Sequence, residues 1–342
     1  MKVLLVEPGP AFSVADVARG WSRGLTAAGA NLIQFTFGDR LWFFQNALIA
    51  KDGEHVQAFD FDLACKMAFE GLGAWILECR PDVVLFVSGF WLNPLAMDLA
   101  RNAGCTVVLL CTESPYEDVR QLALAAHADI VLLNDPANLE RFTWVCTNTR
   151  YVPHSYDPSV HRPGPALAGR TSDLVFIGTG YQSRRDFFAQ IDWTDIDLAL
   201  LGNWPSVEQH PLRRHVRQTQ LDACIDNDDA IGWYQSANMS INVYRQEAEL
   251  GADAAGWAMT PREIELAAIG CPFITQPRGE NLEHLPFVPK FTTPAEAEEL
   301  IRWMLTHDDE RIDIARKARE ALAGWTFEHR ARQLLALINR TT

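Results

Sequence analysis

The chain has 342 residues, which suits two domains of ordinary size or one large α/β domain. Hydrophobic residues make up 48% of the sequence and charged residues 22%, a composition typical of globular proteins. The formal net charge of −14 excludes a global basic field that would attract nucleic acid. It does not exclude a local basic patch or an enzyme that acts on DNA.

Seven cysteines lie dispersed in apolar segments, and no two have the C-x-x-C spacing of a zinc site or a dithiol redox site. Their odd number fits a reducing compartment, in which most of them act as small core residues. The N-terminal "MKVLLVEPGP" is too short an apolar run for a signal peptide. No segment approaches the ~18 apolar residues of a membrane span. We therefore expect a soluble, cytoplasmic protein with no transmembrane segment.

The first half of the chain alternates between strand-like and helix-like segments. In chain order, strand first, these are "KVLLVEP", "SVADVARGWSRGLTAAG", "NLIQFTF", "DLACKMAFEGLGAWILEC", "PDVVLFVSG", "LNPLAMDLARNAG", "CTVVLLCTE", "DVRQLALAAH", "ADIVLLND" and "PANLERFTWV". The segment "TRYVPHS" closes this half. Residues 156–172 then carry three prolines and two glycines, which is typical of a linker.

The alternation restarts after the linker. The predicted strands are "DLVFIG", "DIDLALLGN", "SANMSINVY" and "CPFITQP", the predicted helices are "RRDFFAQI" and "TPREIELAAIG", and successive helices fill the rest of the chain. Repeated βα alternation predicts parallel sheets covered by helices on both faces. The fold class is therefore α/β, with two Rossmann-like domains whose parallel sheets face a cleft. We place the domains at residues 1–155 and 173–325, the hinge at 156–172, and a C-terminal helix that packs back towards the N-terminal domain at 326–342.

The stretch "SDLVFIGTGYQSRRDFFAQI" has the strand, glycine turn and helix of a dinucleotide-binding unit. A dinucleotide fingerprint requires a third glycine, but Ser183 stands at that position. The following strand ends in Gly202-Asn203, without the carboxylate that would bind the ribose of NAD. The first half offers only the single glycine of "VEPGPAFS". An NAD site is therefore disfavoured.

Several motifs in one order explain more of the chain. They are "GTGYQSRR", "LLGNW", "YQSANMSINVYR" and "TPREIELAAIGCPFIT", preceded by "YVPHSYDPSVHRP" and followed by "LAGWTFEHRARQLLALI". This series resembles the C-terminal half of GT-B glycosyltransferases of the CgeB-like group, which has spore-protein-like and phage-encoded members and is related to the retaining GT-B enzymes. The resemblance covers roughly residues 150–340. In the first half, "LLVEPGPAFSVADVARGWSRGL" and "LLCTESPYED" resemble the phage-encoded relatives more loosely.

The resemblance implies a GT-B architecture with an acceptor domain in the first half and a nucleotide-sugar donor domain in the second. Thr260-Pro261 is expected to open a helix whose N-terminus attracts phosphate, with Arg262 in the first turn as a phosphate clamp. Glu265 lies three residues on, where the family places its ribose-binding glutamate in an R-x-x-E pattern. Gly270 completes the pattern, and Glu263 is the rival carboxylate that we rank second.

Further donor-side candidates come from the other motifs. They are Gly178 and Gly180, which let the backbone approach a ligand; Tyr181; Arg184 and Arg185, of which one is expected to face the anion; and Asn242 and Arg245, which match an L-N-x-x-R segment of the family. Gly202 and Trp204 are weaker candidates for base or sugar contacts. Paired arginines at a helix start are otherwise typical of a solvated face, Trp204 of a core, and Asn242 of a turn or cap.

A catalytic base would come from a loop at the carboxyl end of an N-terminal strand. Our first choice is Glu113 in "CTESPYED", followed by Asp118 in the same segment and His154 at the hinge. Ser114 and Tyr116 are candidates for acceptor contacts. Both acids could instead cap the next helix, and a hinge histidine is more often structural. The sequence leaves the stereochemical course of transfer open.

No metal site is predicted, because "FDFD" at residues 59–62 follows no apolar strand and "DNDD" at 226–229 is typical of a loop. No cofactor is expected beyond the donor substrate, most simply a UDP-sugar.

The sequence leaves the identity of the acceptor open, with a protein such as a phage virion protein favoured over a modified DNA base or a small molecule. The aromatic segment at residues 39–50 could contact an acceptor or a membrane surface, although buried core or interface is the preferred interpretation. An NAD-dependent sugar epimerase or dehydrogenase, and a non-catalytic GT-B-like binding protein, remain alternatives.

Overall fold

The computed structural model describes residues 1–9, 14–164, 172–248 and 255–341. Its chain divides into two compact units. The first comprises Met1–Pro153 together with Phe327–Thr342, and the second comprises the described residues from His154 to Thr326. Each unit is built on its own sheet, and we refer to them as the N-terminal and C-terminal domains.

The N-terminal domain contains a six-stranded sheet in the order β2-β1-β5-β6-β7-β8, in which every neighbouring pair is parallel. Its strands are β1 (Lys2–Val6), β2 (Asn31–Phe35), β5 (Val83–Val87), β6 (Thr106–Cys111), β7 (Ile130–Leu133) and β8 (Thr149–Tyr151). A separate antiparallel hairpin is formed by β3 (Leu48–Lys51) and β4 (Glu54–Gln57). Asp52 and Gly53 form its two-residue turn with positive φ angles of 53° and 85°, as such a tight hairpin requires.

The N-terminal helices cover both faces of that sheet. They are α1 (Val14–Ala27), α2 (Phe37–Gln45), α3 (Phe61–Cys79), α4 (Leu95–Asn102), α5 (Asp118–Ala125), α6 (Leu139–Thr143) and the C-terminal α13 (Phe327–Thr341), with a short 3-10 turn at Pro136–Asn138. Successive strand residues point to opposite faces, so Leu4 and Val6 enter one core while Val3 and Leu5 enter the other. Alternating side chains therefore fill two cores, which accounts for the continuous apolar runs in the sequence.

Helix α13 packs against α1 in the second of these cores. The ring of Phe327 lies beside Trp21, with the two centroids 6.5 Å apart. A Cβ at Gly24 would lie 2.6 Å from the backbone of Phe327, so the small residue allows the two helices to approach closely. The last helix of the chain thus belongs to the domain that contains its first strand.

The C-terminal domain contains four parallel strands in the order β10-β9-β11-β12. The strands are β9 (Ser172–Ile177), β10 (Leu198–Leu201), β11 (Ala237–Asn242) and β12 (Phe273–Thr275). The helices are α7 (Gln182–Ala189), α8 (Asn227–Ser236), α9 (Pro261–Ile269), α10 (Gly279–His284), α11 (Pro294–Thr306) and α12 (Asp308–Ala321), with a 3-10 turn at Pro211–His215. Separate apolar clusters cover the two faces of the sheet. The prediction of two Rossmann-like domains with parallel sheets is confirmed.

One expectation about an individual segment is wrong, and another holds only in part. "DNDD" is not a loop, because Asp226 caps α8 and the next three residues form its first turn. The aromatic segment at residues 39–50 is core only in part, because Leu41 is fully buried whereas Trp42, Phe43 and Leu48 are each more than 60% exposed. Among the described helices, none combines the length and the apolar content that crossing a membrane requires.

Candidate functional site

The C-terminal sheet has a topological switch point between β9 and β11. The chain leaves β9 towards β10 on one side and then crosses to β11 on the other side. In open parallel sheets, ligands bind in the crevice beyond the carboxyl ends of the two strands at such a point. Here those ends are Ile177, followed by the glycine turn, and Asn242, followed by the "VYR" segment.

Arg262 joins the two strand ends. Its Nε and Nη2 donate to the carbonyl oxygen of Ile177 at 3.1 and 2.6 Å, and its Nη1 donates to Asn242 Oδ1 at 2.9 Å. Its guanidinium carbon lies 4.6 Å from the centre of the Phe176 ring. Two predicted site residues, Arg262 and Asn242, are thus in direct contact. Because these bonds engage three of the five N–H groups of the guanidinium, Arg262 helps to build the crevice as well as to charge it.

Helix α9 begins as predicted, with Pro261 in its first position after the N-cap Thr260. It ends at Gly270, whose φ of 79° is the left-handed conformation typical of a helix C-terminus. Arg262 therefore lies in the first turn of α9, at the same edge as the ends of β9 and β11. The local sequence alone predicts this placement.

The two carboxylates of α9 have different environments. Glu263 is fully buried and accepts hydrogen bonds from Tyr244 Oη at 2.6 Å, Thr275 Oγ1 at 2.8 Å, Asn281 Nδ2 at 2.9 Å and the backbone N–H of Thr260 at 2.9 Å. These bonds satisfy its carboxylate from within the domain, so Glu263 has a structural position.

The side chain of Glu265 retains 19% of its exposure and can reach solvent. Glu265 and Arg262 both act electrostatically on the phenol of Tyr234. The pKa of Tyr234 is raised to about 12, mainly by burial, while the charge of Arg262 opposes the shift and that of Glu265 adds to it. The three side chains therefore form one cluster, in which Tyr234 had no signal in the sequence. Of the two rival carboxylates, Glu265 is the one that a ligand can reach.

The glycine turn after β9 is shaped by its neighbours. A Cβ at Gly178 would lie 2.5 Å from Arg262 Nη2, and a Cβ at Gly202, whose φ is 103°, would lie 2.7 Å from the carbonyl oxygen of Gly178. A Cβ at Gly180 would overlap the indole of Trp204. Trp204 itself is fully buried, and its Nε1–H donates to the carbonyl oxygen of Leu201 at 2.9 Å. Trp204 is therefore a core residue and not a sugar contact.

The paired arginines take separate positions. Arg184 is buried, and it donates through Nε to the Val243 carbonyl at 2.9 Å and through Nη1 to the Thr179 carbonyl at 3.0 Å. Arg185 folds back over its own helix and donates to the carbonyl of Gly180 and, at 2.6 Å, to Gln182 Oε1. Arg184 thus ties the glycine turn to the end of β11, whereas Arg185 is the more exposed of the two.

The helix that follows the glycine turn has its N-terminus capped by another part of the chain. Glu247 accepts from the backbone N–H of Ser183 at 2.9 Å and from Ser183 Oγ at 2.8 Å. Burial alone would raise the pKa of Glu247, but these hydrogen bonds together lower it, so the carboxylate is held ionised. Nearby, Arg245 Nη1 donates to Tyr181 Oη at 3.0 Å. The N-terminus of α7, which follows the glycines that were expected to approach a ligand, therefore already holds a carboxylate.

The candidate bases lie in two places. Glu113 follows β6 at the carboxyl edge of the N-terminal sheet and is partly exposed, whereas Asp118 is 1% exposed in the first turn of α5. His154 belongs to the C-terminal domain, where burial and the charge of Arg278 lower its pKa to about 4. Of the three, Glu113 is the one that combines partial exposure with a position at the carboxyl end of an N-terminal strand, which favours it as the base.

A further carboxylate in the N-terminal domain gave no signal in the sequence. Glu7 directly follows β1, beside the switch point between β1 and β5. Burial raises its pKa, Asp39 raises it further and Arg19 lowers it. At the same sheet edge, the hydroxyls of Ser88 and Thr112 lie 2.5 Å apart. Glu7 therefore joins Glu113 as an accessible candidate for proton transfer.

Within the described ranges, no three or more His, Cys, Asp or Glu side chains lie close enough together to hold a metal ion. Asp60 of "FDFD" caps α3 by accepting from Leu63 N at 2.8 Å.

A cavity of about 590 Å³ lies at the opposite end of the C-terminal sheet, near Ala237, Ile269 and Arg319. Because Ala237 begins β11 and Ile269 ends α9, this cavity is separate from the crevice at the switch point.

Comparison with known proteins agrees with this arrangement. Residues 183–336 match a family described as glycosyl transferase-like. A comparison with the sequences of curated proteins gives no match.

Solved structures of the same fold extend over nearly the whole chain. Sucrose-phosphate synthase from Thermosynechococcus elongatus has a TM-score of 0.66 and 15% identity over 100% of this chain and 98% of that one. AviGT4, a glycosyltransferase of avilamycin A biosynthesis, has a TM-score of 0.64 and 16% identity over 100% and 98%. The trehalose-6-phosphate synthase OtsA has a TM-score of 0.64 and 11% identity over 99% of each chain.

The chain thus has the GT-B fold of two Rossmann-like domains. The fold and the family match together support a glycosyltransferase. The family match contains Asn242, Arg262 and Glu265, so it covers the same part of the chain as the candidate site.

Proposed function

We propose that the protein is a metal-independent GT-B glycosyltransferase that moves a hexosyl group from a UDP-sugar to an acceptor hydroxyl. The observation that carries this proposal is the position of Arg262 and Glu265. Arg262 lies in the first turn of α9 at the switch point, and Glu265 lies one turn further along the helix, beside Tyr234. Both are within the segment that matches the glycosyl transferase-like family. Support for the uridine donor comes from a trehalose-6-phosphate structure from E. coli that is bound with UDP-2-fluoro glucose, with a TM-score of 0.60.

In this proposal the charge of Arg262 stabilises the diphosphate as the leaving group departs. The carboxylate of Glu265 accepts hydrogen bonds from the ribose hydroxyls. Arg245, partly exposed beside Tyr181, supplies further positive charge at the same edge. If transfer inverts the sugar, Glu113 is our first choice for the base that deprotonates the acceptor.

We propose a protein acceptor, and we keep the phage-encoded CgeB-like group and a cytoplasmic location as part of the proposal. The net charge of −14 works against a DNA acceptor. In the N-terminal domain, Trp42 and Phe43 are 66% and 65% exposed, and Leu48 and Ile49 beside them in the chain are 61% and 49% exposed. Exposed aromatic groups of this kind are typical of protein-binding surfaces.

A sugar-nucleotide epimerase is a second candidate, because one specific observation favours it. A Listeria monocytogenes chain assigned as a UDP-N-acetylglucosamine 2-epimerase shares the fold, with a TM-score of 0.59 and 11% identity over 99% of this chain and 95% of that one. The GT-B fold therefore accommodates both chemistries, and only the products distinguish them. An epimerase converts the donor without any acceptor, whereas a transferase releases the nucleoside diphosphate.

The first experiment is calorimetric titration with UDP, GDP, ADP, dTDP and NAD, each with and without EDTA. We expect one nucleoside diphosphate to bind, with the same affinity in EDTA. Arg262→Ala removes charge-assisted hydrogen bonds of about 1.5–3 kcal/mol and should weaken that affinity by roughly 10- to 150-fold. Glu265→Ala should weaken it through the ribose.

The matched control is Arg302→Ala, because Arg302 lies on α11 in the same domain and pairs with Glu298 at the surface. It should bind the nucleotide as wild type does. Equal affinities in wild type, Arg262→Ala and Glu265→Ala would refute the site assignment. Binding of NAD alone would favour an NAD-dependent epimerase or dehydrogenase, and epimerised donor without an acceptor would favour the second candidate.

A further inference from the structure

His161 makes contacts that the proposed site does not yet explain. It lies before β9 in the motif "YVPHSYDPSVHRP", is 6% exposed, and has been given no role so far. Its Nδ1 accepts from the backbone N–H of Asp157 at 3.1 Å. Its Nε2 lies 3.7 Å from Glu265 Oε1 and 3.3 Å from the side-chain amide of Asn227. A buried imidazole therefore lies within 4 Å of the Glu265 carboxylate, which we assign to ribose binding.

The contact with Asp157 fixes the tautomer of the ring. A backbone N–H can only donate, so Nδ1 must present its lone pair, and the hydrogen of the neutral imidazole lies on Nε2. That N–H lies within reach of both the Asn227 amide, at 3.3 Å, and Glu265 Oε1, at 3.7 Å. The amide nitrogen of Asn227 cannot also donate to it, so the amide of Asn227 must turn its oxygen towards the ring.

We propose that His161 is a positioning residue that orients the Glu265 carboxylate towards the ribose of the donor nucleotide. The inference rests on the proposed function, because it assumes that Glu265 binds the ribose. A glutamate side chain loses rotamer freedom when it accepts hydrogen bonds in one fixed direction. A buried N–H on one side restricts that freedom before the ligand arrives. The distance of 3.7 Å is just beyond hydrogen-bonding range, so the attraction in this structure is electrostatic.

Two amide substitutions separate the two roles of the ring. In His161→Asn, the amide oxygen can replace Nδ1 and keep the bond from Asp157, but the side chain is too short to present a donor to Glu265. In His161→Gln, the longer side chain can place an amide N–H where Nε2 stands. His210→Asn is the matched control, because His210 Nδ1 also accepts a backbone N–H, from Leu212 at 3.2 Å, in the same domain.

The measurement is the affinity for UDP compared with that for 2′,3′-dideoxy-UDP, whose ribose offers no hydroxyls. The ratio of the two affinities is the ribose preference. We expect His161→Asn to lower this preference about 3- to 10-fold through weaker binding of UDP alone, and His161→Gln and His210→Asn to keep it. In a Glu265→Ala background, His161→Asn should change nothing further, because the group that it orients is absent.

The outcomes separate the inference from the proposed function. A wild type that binds neither nucleotide, or a Glu265→Ala variant that keeps the ribose preference, would refute the ribose assignment itself. If Glu265→Ala abolishes the preference while His161→Asn weakens both nucleotides equally or neither, His161 is structural and the positioning role is wrong. Should His161→Asn fail to fold, loss of the preference in a folded His161→Gln would overturn the proposal, and its retention would support it.

Discussion

Replacement of Gly180 by alanine tests why the turn after β9 contains glycine. From the sequence alone this glycine is expected to let a ligand approach the backbone, but the structure offers a packing reason. An added Cβ would lie 2.6 Å from Cδ2 and 2.9 Å from Cζ3 of Trp204, and closer still to Cε3, where ordinary contacts are 3.4–4 Å. The indole cannot move aside easily, because it is fully buried against Phe176 and Phe188.

The backbone cannot move aside easily either, since Gly180 N donates to the Asn203 carbonyl at 2.7 Å. Overpacking of this kind costs about 1–3 kcal/mol, which lowers the Tm of a domain of this size by about 2–12 °C. We expect this loss for Gly180→Ala in differential scanning calorimetry. The matched control is Gly324→Ala, where an added Cβ meets nothing within 4 Å and the backbone is not left-handed.

Gly324→Ala should leave the Tm unchanged or raise stability by about 0.4–1 kcal/mol, because alanine restricts the unfolded chain. A Gly180→Ala variant that keeps the wild-type Tm and loses affinity for the nucleoside diphosphate would contradict the packing role of this glycine. Such a result would mean that the turn relaxes around the methyl group and that the glycine serves the ligand.

Two more predictions concern buried groups of the C-terminal domain. Glu263→Gln replaces an acceptor oxygen with a donor facing Tyr244, so it should destabilise the domain by about 1–3 kcal/mol in urea unfolding, whereas Glu265→Gln should be close to neutral. Equal effects would contradict the structural role of Glu263. The pKa of His154 is lowered from 6.5 to about 4, so the fold favours the neutral ring, and this contribution is complete above pH 6.5 and lost as the pH falls towards 4. The shift of ~2.5 pKa units corresponds to at most about 3 kcal/mol, and His154→Gln should flatten the acid limb of a plot of urea midpoint against pH. If the plots of urea midpoint against pH were parallel for wild type and His154→Gln, the lowered pKa of His154 would be refuted.

The sequence predicts the fold well where the signal is periodic. Apolar runs such as Val83–Val87 can be buried on both faces only inside a parallel sheet, and the strand at that position is fully buried. The start of α9 is predicted equally well, because Thr260 and Pro261 are local signals. The hairpin β3-β4 and helix α8 were not predicted. The first is short and exposed on both strands, and the second carries no strong helical pattern.

The site is predictable in its positions but not in its contacts. Arg262, Asn242 and Glu265 were chosen from motifs, and the fold brings the first two into contact at the switch point. The roles of Tyr234 and His161 depend on elements that are distant in the sequence. Neither periodicity nor a local motif predicts which side chain will contact a given carboxylate, because tertiary packing determines these contacts.

The two helices beside the switch point differ from the usual arrangement for phosphate binding. A free helix N-terminus offers unpaired N–H groups and a partial positive charge to an anion. At α7, Glu247 already accepts from the Ser183 N–H. At α9, the carboxylate of Glu263 adds a negative charge inside the first turn. Because both helix ends are matched by carboxylates of the protein itself, a diphosphate at this edge must be recognised mainly by guanidinium groups. Its affinity should therefore depend on Arg262 and on ionic strength more than on the helix dipoles.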